Sequence, residues 1–484
     1  MNSAIEKINN FLWGVPLILL ILGCGIFLTV KFRFVQFRKL SAALKYMVTN
    51  EEDGDGDISS FGALCTALSA TIGTGNIVGV ATAISVGGPG ALFWMELAAL
   101  LGMATKYAEG FLAIKYRITD SEGTKLGGPF YYIENGMGKR YRFLAKMFAF
   151  FGVFVGLMGI GTFTQINGIA SATNNFFKGE DGIKIVVFSR EYSAVTVITG
   201  IVITVFAALV IIGGIKNISN VSQVIVPFMA AAYIACALVI VLTHIPQIPD
   251  AVSQIIGGAF GLKPLEGAAM GETVIVAVQK GVARGIFSNE AGLGSAPIAS
   301  AAAKTKDPVR QGLVTMTGTF IDTICVCTMT GLSIVISGAW QNKNLEGVEI
   351  TTEAFKYGLP FPERVSEFIL MVCLVFFAFT TILGWSYYSE RCLSYLLGKK
   401  SSIRSTLVFR IIYICAVFIG PYLTVSAVWN IADIFNGLMA IPNVIALIAL
   451  SGITAKETLA ADEPPTADEP ATPDENRTPT FWVR

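Results

Sequence analysis

Charge is scarce in this chain. Of 484 residues only 14% are Asp, Glu, Lys or Arg, while 53% are hydrophobic; soluble domains carry roughly 25% charged residues. Water is therefore not the main solvent, and the composition predicts an all-α integral membrane protein. An excess of either sign is missing too, with 35 Lys plus Arg against 34 Asp plus Glu. That balance removes the basic footprint nucleic-acid binding needs. A single histidine, His244, rules out a histidine metal cage, and an interfacial structural role suits it better than proton coupling. The 8 cysteines mostly lie inside apolar runs without the paired spacing of a zinc site, and read as small core residues. No Gly-x-Ser-x-Gly elbow and no paired intramembrane aspartates are present, so protease chemistry lacks its parts and no enzyme is expected. A channel would be built around a pore ring or filter, which the sequence does not advertise.

What is present is a series of long apolar runs. A spanning helix needs about 20 mostly apolar residues, and eleven candidates run approximately over 12–31, 60–84, 88–116, 143–174, 194–214, 219–243, 273–303, 309–339, 364–395, 405–428 and 431–453. The first is long enough to span and has one upstream lysine, so it reads as a helix rather than a cleavable signal. Basic residues concentrate on one side: Lys31, Arg33, Arg38, Lys39 and Lys45, then Lys115 and Arg117, Lys304, Lys306 and Arg310, Arg391 and Arg404. By the positive-inside rule that side is cytoplasmic. The N-terminus is then outside and the C-terminus inside, in the cell (plasma) membrane among lipid.

Two spans are damaged for a continuous helix. The second contains Ser69-Ala70-Thr71-Ile72-Gly73-Thr74-Gly75-Asn76-Ile77-Val78-Gly79, and the seventh Gly281-Val282-Ala283-Arg284-Gly285-Ile286-Phe287-Ser288-Asn289-Glu290-Ala291-Gly292-Leu293-Gly294, with the break itself expected near Gly285 to Asn289. Unwound backbone is tolerated at membrane depth only where protein or a cavity surrounds it. Free amides at one half-helix attract a carboxylate, and free carbonyls at the other hold a cation or ammonium group. A zwitterionic amino acid presents both charges. The spans fall into an N-terminal helix with its cytoplasmic loop (1–58), a first set of five (59–243), an outer interfacial loop (244–272), a second, inverted set of five (273–453) and a disordered acidic, proline-rich cytoplasmic tail (454–484). Paired interruptions at matching places in two halves mark the midplane site of secondary transporters. Close-packing glycines are the plainer explanation for either span taken alone.

At these residues the chain resembles the alanine or glycine:cation symporter family of the amino acid-polyamine-organocation superfamily. The carrying segments are Ala67 to Ala81, Gly87-Gly88-Pro89-Gly90-Ala91-Leu92-Phe93-Trp94-Met95, Lys106-Tyr107-Ala108-Glu109, Gly127-Gly128-Pro129-Phe130-Tyr131-Tyr132 and Gly285 to Gly292. The resemblance implies sodium-coupled import of alanine and glycine through a LeuT-like five-plus-five inverted repeat, with an extra N-terminal helix and no organic cofactor. By that similarity the amides of Thr74 and Gly75, within the unwound Ile72 to Asn76 stretch that includes Gly73, hold the substrate carboxylate, with Thr71 and Asn76 nearby. Carbonyls around Gly285, Ile286 and Phe287 face the ammonium, and Ser288 belongs to the same set. Sodium would sit between the second and ninth spans, on the carbonyls of Ser69, Ile72 and Phe377 and the hydroxyls of Thr380 and Thr381, with Ala378 in place of Phe377 if the register slips by one.

Other polar groups at membrane depth need partners. In the fourth span Phe163, Gln165 and Asn167 either line the pocket or, for the two amides, bond to neighbouring helices. Trp385 and Phe287 suit a cap that restricts the cavity to alanine-sized side chains, or plain core packing. Lys106 and Glu109, three residues apart, suit an ion pair. Arg284 suits a gate whose acidic partner the sequence does not name; Glu96, Glu290 and Asp322 have no assigned partner. A proton-coupled carrier or exchanger of the same fold, with Glu290 replacing the ion, is the alternative function.

Overall fold

The computed structural model describes residues 7–9, 11–49, 51, 54–120, 123–177, 182–262, 270–398, 401–423 and 425–462. Its helices are α1 (Val15–Lys31), α2 (Leu40–Val48), α3 (Ser60–Thr71), α4 (Val80–Gly87), α5 (Gly90–Lys115), α6 (Arg142–Met158), α7 (Phe163–Phe177), α8 (Ala194–Ile211), α9 (Gly214–Thr243) and α10 (Ile248–Ala259). They continue as α11 (Met270–Asn289), α12 (Ala296–Ser300), α13 (Pro308–Thr319), α14 (Thr328–Ser337), α15 (Val348–Gly358), α16 (Glu363–Leu397), α17 (Ile403–Ile419) and α18 (Val425–Ala460). Among the described residues eight helices are long and apolar enough to cross a membrane, or nine when the bent pair formed by α3 and Gly75–Gly87 counts as one span. Two antiparallel hairpins complete the chain: β1 (Ile118–Thr119) with β2 (Lys125–Leu126), and β3 (Lys184–Val187) with β4 (Arg190–Ser193).

In lipid, helices gain little from hydrophobic association and depend on close packing of small residues. The central α5 follows that rule. A Cβ on Gly110 would lie 2.3 Å from Thr315 Oγ1 of α13, and one on Gly102 2.8 Å from Ala291. Across the other face, a Cβ on Gly281 of α11 would lie 2.2 Å from the Ala91 carbonyl. The outer helices behave oppositely: α8 exposes Ile198, Ile201, Val205, Phe206 and Leu209, and α17 exposes Leu407, Val408, Ile411 and Ile412. Large exposed aliphatic side chains in such rows face a lipid solvent, not water.

Two local differences from the sequence reading have simple causes. The loop expected over 244–272 contains the amphipathic helix α10, which starts at Ile248 with Pro249 in its first turn, a residue preset for a helix N-terminus; residues 263–269 lie outside the described residues. The tail expected from residue 454 starts later, because α18 continues to Ala460 with Thr454 and Thr458 buried. Thr458 bonds Tyr107 at 2.7 Å, and Asp462 pairs with Arg38 at 2.9 Å. The acidic, proline-rich stretch 463–484 lies outside the described residues.

Candidate substrate and ion site

The second span breaks where the glycines and hydroxyls fall. Helix α3 starts on Ser59, whose Oγ accepts from the Gly62 amide, and stops at Thr71, because Ile72 turns to an extended ψ of 97°. The chain resumes as a π-helical turn over Gly75–Gly79, and the two halves are bent by 50°. Loose amides at the break are satisfied by side chains: the Gly73 amide donates to Asn76 Oδ1 at 2.9 Å and the Thr74 amide to Gln165 Oε1 at 3.1 Å. The Thr74 hydroxyl is buried without a hydrogen-bond partner. Gln165 of α7 thus belongs to the break. Asn167 does not: its Nδ2 donates to the Leu423 carbonyl at 3.2 Å, a bond to the connection between α17 and α18. Phe163 packs on Gly420, and the Thr71 hydroxyl bonds back to Ala67 and Leu68 of its own helix.

Helix α16 lies against this break. The Thr381 hydroxyl is 3.2 Å from the Ile72 carbonyl and 3.0 Å from that of Phe377, and the Thr380 hydroxyl is 3.0 Å from the same Phe377 carbonyl. A Cβ on Gly73 would lie 2.5 Å from Thr381 Oγ1. Ser69 sits at the same contact, beside Gly384, with its hydroxyl turned to Thr66. Hard oxygens converge here without a carboxylate. Such a set suits an alkali cation.

The seventh span breaks at the far end of the glycine-rich stretch, at Gly292 and Gly294 rather than near Gly285. Helix α11 runs unbroken through Gly281 and Gly285 to Asn289, and the chain unwinds at Glu290 (φ 55°), Gly292 (φ 86°) and Gly294 (φ 80°). Gly285 instead faces Met95 of α5, and the Ile286 carbonyl is taken by the Glu290 amide at 2.8 Å. The two broken spans nonetheless meet: a Cβ on Gly75 would lie 3.2 Å from Ser288 Cα and 3.4 Å from the Phe287 ring. Trp385 is tied to this second break. Its Nε1 donates to Glu290 Oε1 at 2.7 Å.

Two acidic residues, Asp322 and Glu109, organise the breaks, and a third, Asp433, pairs with a cation of α11. Asp322, in the π-helical stretch Phe320–Cys327 between α13 and α14, accepts from Asn76 Nδ2 at 2.8 Å, Ser288 Oγ at 2.9 Å and Thr323 Oγ1 at 2.8 Å. It therefore ties both broken spans to one carboxylate. Glu109 Oε1 accepts from the amides of Gly292 and Gly294, each at 3.1 Å, and from Asn443 Nδ2 at 2.8 Å. The ion pair expected between Glu109 and Lys106 is not formed; the carboxylate is drawn to the loose amides instead. Asp433 of α18 answers Arg284 at 3.2 Å. Lone carboxylates inside apolar spans were the signal for all three, but spacing along the chain does not show which loose amides or cation each one reaches.

Away from the break, residues 54–58 lie across residues 301–305. The Ile58 amide donates to the Ala302 carbonyl at 3.1 Å and the Lys304 amide to the Ile58 carbonyl at 2.8 Å. Arg117 bonds the carbonyls of Ala303 at 2.9 Å and Asp55 at 2.7 Å. A Cβ on Gly54 or Gly56 would fall 2.3 Å from a carbonyl of the facing segment, so only glycine allows the approach. The Lys125 ammonium beside Asp55 holds that carboxyl below its usual range, and burial pushes Asp57 up. Burial also lowers Arg117, against the pull of Asp55 and Asp57.

Buried, broken spans with a carboxylate at each junction, inside a bundle whose outer helices face lipid, define a membrane carrier. A profile of the sodium:alanine symporter family matches residues 1–464, and the chain belongs to that family. It is 52% identical to an uncharacterized transporter of Haemophilus influenzae, covering 95% of each chain. It is 47% identical to the sodium/alanine symporter AgcS of Methanococcus maripaludis, covering 94% of this chain and 96% of that one. A putative sodium/proton-dependent alanine carrier protein, YrbD of Bacillus subtilis, is 35% identical over 93% of this chain and 90% of its own.

Proposed function

We propose that the protein couples sodium entry to import of alanine and glycine across the plasma membrane by alternating access. The observation that carries this reading is the convergence at one break. Gly73 adjoins Thr381, whose hydroxyl meets the Ile72 and Phe377 carbonyls, and two residues on Gly75 adjoins Ser288 and Phe287. One cation and one zwitterion then share a single unwound segment, which gives their binding a physical route to coupling. Sodium takes the Ile72 and Phe377 carbonyls and the Thr380 and Thr381 hydroxyls, with Ser69 beside them. The substrate carboxylate takes the amides of Thr74 and Gly75, displacing Gln165 from the first. Ammonium binds at the C-terminal end of α11, near Phe287 and Ser288.

The same reading assigns eleven spans. Val15–Lys31 and Met270–Asn289 join the eight apolar helices and the bent pair, giving a LeuT-like five-plus-five repeat behind an extra N-terminal helix. The N-terminus lies outside and the C-terminus inside. Arg284 with Asp433 closes the outer route, and the 54–58 segment held by Arg117 closes the inner one. Rocking about the breaks opens one closure at a time.

Proton coupling is the second reading, favoured by the burial of Glu290 and by the similarity to the putative sodium/proton-dependent carrier YrbD. Labelled alanine counterflow in proteoliposomes, with and without sodium at fixed pH, separates them. Sodium-dependent exchange is expected; uptake driven by a pH gradient without sodium would overturn the symport reading.

A further inference from the structure

Among the described residues Lys106 is the only lysine or arginine that is fully buried, with 2% of its surface exposed, and the site at the breaks gives it no task. Its place on α5 is fixed by glycines one turn to either side. A Cβ on Gly102 would lie 2.8 Å from Ala291 and 3.9 Å from Thr319 Cγ2, and one on Gly110 2.3 Å from Thr315 Oγ1. Residues four apart share a helix face, so Lys106 faces the junction of the second break with α13. Long side chains on a helix lean toward its N-terminus, which carries the ammonium toward the level of Gly102 and away from Glu109. Glu290 adjoins Ala291 there, and Asp322 lies three residues past Thr319. All three carboxylates lie within electrostatic reach of Lys106, yet among the described residues it forms a direct ion pair with none.

The three acids differ in what else holds them. Asp322 accepts from Asn76, Ser288 and Thr323, and Glu109 from the amides of Gly292 and Gly294 and from Asn443. Glu290 has two donors, Trp385 Nε1 at 2.7 Å and the Ser295 hydroxyl. Every one of these donors is neutral. A buried carboxylate short of donors and of a cation takes up a proton instead, so Glu290 depends most on the lysine. The other titratable groups around the three add no cation: Cys24, Tyr132 and Tyr388 lie toward Glu109, Tyr388 also toward Glu290, and Glu96 and Cys327 toward Asp322. The cation of α11, Arg284, pairs with Asp433.

We propose that Lys106 sets the ion specificity of the carrier by keeping protons out of the cycle. Its charge holds Glu290 ionised, so no proton binds with alanine and sodium remains the coupling ion. Lys106 touches neither sodium nor substrate. It is a positioning residue that acts through Glu290, whose carboxylate fixes Trp385, one turn along α16 from Thr381. A protonated Glu290 would give up an acceptor toward Trp385 or Ser295. Proton arrival and departure would then rearrange the second break, which is the linkage proton coupling requires.

This inference rests on the symport reading, and the test separates the two. Labelled alanine uptake under a sodium gradient is measured in proteoliposomes across external pH, while a trapped pH dye follows proton entry. Wild-type uptake is expected to be flat with no proton entry. Lys106→Met is expected to import protons with alanine and to lose about tenfold in uptake as the pH rises from about 6 to about 8, because the stranded carboxylate must be protonated to function. Lys106→Met/Glu290→Gln removes one charge of each sign and is expected to return to flat, proton-free uptake. Should Lys106→Met alone fail to insert, the double variant must insert and transport; failure of both overturns the proposal. Proton entry with sodium-driven uptake in the wild type, a flat and proton-free profile in Lys106→Met, or a pH dependence kept by the double variant also overturns it, while symport stands. Wild-type uptake driven by a pH gradient without sodium overturns both.

Discussion

Single residues near the breaks divide by what their polar atoms reach. Gln165 and Asn167 are two apart on α7, and the sequence left both open as pocket residues or interhelical ties. The first accepts from the broken backbone at Thr74 and the second ties α7 to Leu423. A helix turns about 100° per residue, so residues two apart point to nearly opposite sides, and only packing decides which side is the pocket. Glu109 was misassigned for a related reason. Its i,i−3 lysine is close in sequence, yet two free amides with a fixed geometry outcompete a flexible ammonium. Removing that acceptor leaves the Gly292 and Gly294 amides unpaired inside the bundle, at about 1–3 kcal/mol for each group. Glu109→Ala is accordingly expected to lower the thermal unfolding temperature of the purified protein clearly. Glu109→Gln, which keeps an acceptor, is expected to lower it by less than half as much.

At the scale of elements, the first break was legible to the residue and the second was displaced by about one turn. The difference lies in what glycine is for. Gly73 and Gly75 stand at the break itself, with Thr381 and Ser288 pressed against them. Gly281 and Gly285 let α11 approach α5 as a regular helix, against Ala91 and Met95, whereas Gly292 and Gly294 supply the positive φ that ends it. Sequence does not distinguish a packing glycine from a conformational one. Substitution does. Gly294→Ala carries both the left-handed strain and a Cβ 2.7 Å from Pro129, so a loss of stability above about 1 kcal/mol is expected from the backbone alone. Gly73→Ala places its methyl 2.5 Å from Thr381 Oγ1; sodium-driven uptake is expected to be lost while the protein still inserts and remains monodisperse on size exclusion. Retained uptake in Gly73→Ala would separate the break from the ion.

Over the whole molecule, the apolar segments and the membrane class were plain from composition, because 14% charge leaves few other solvents. Which long-range pairs close the bundle was not plain. The contacts of Arg117 with Ala303 and Asp55 and of Arg284 with Asp433 join segments 62 to 186 residues apart, and no local periodicity records them. In the proposed cycle the Arg117 contacts hold the inner closure, and four carbonyls rely on that one guanidinium. Arg117→Ala is expected to favour the inward-open state. A cysteine at Ala303 should then react with a membrane-impermeant thiol reagent from the cytoplasmic side several-fold faster than in the parent, and equal rates would remove Arg117 from the closure.

The central claim is that one unwound segment serves cation and zwitterion together, and reciprocal linkage tests it most directly. Alanine affinity of the purified chain is measured across a range of sodium concentrations, for the parent and for Thr381→Ala. The parent's affinity should rise with sodium, and the variant should need about tenfold more sodium for the same gain, a shift of about 1.4 kcal/mol. Superimposable curves for the two proteins would contradict the account.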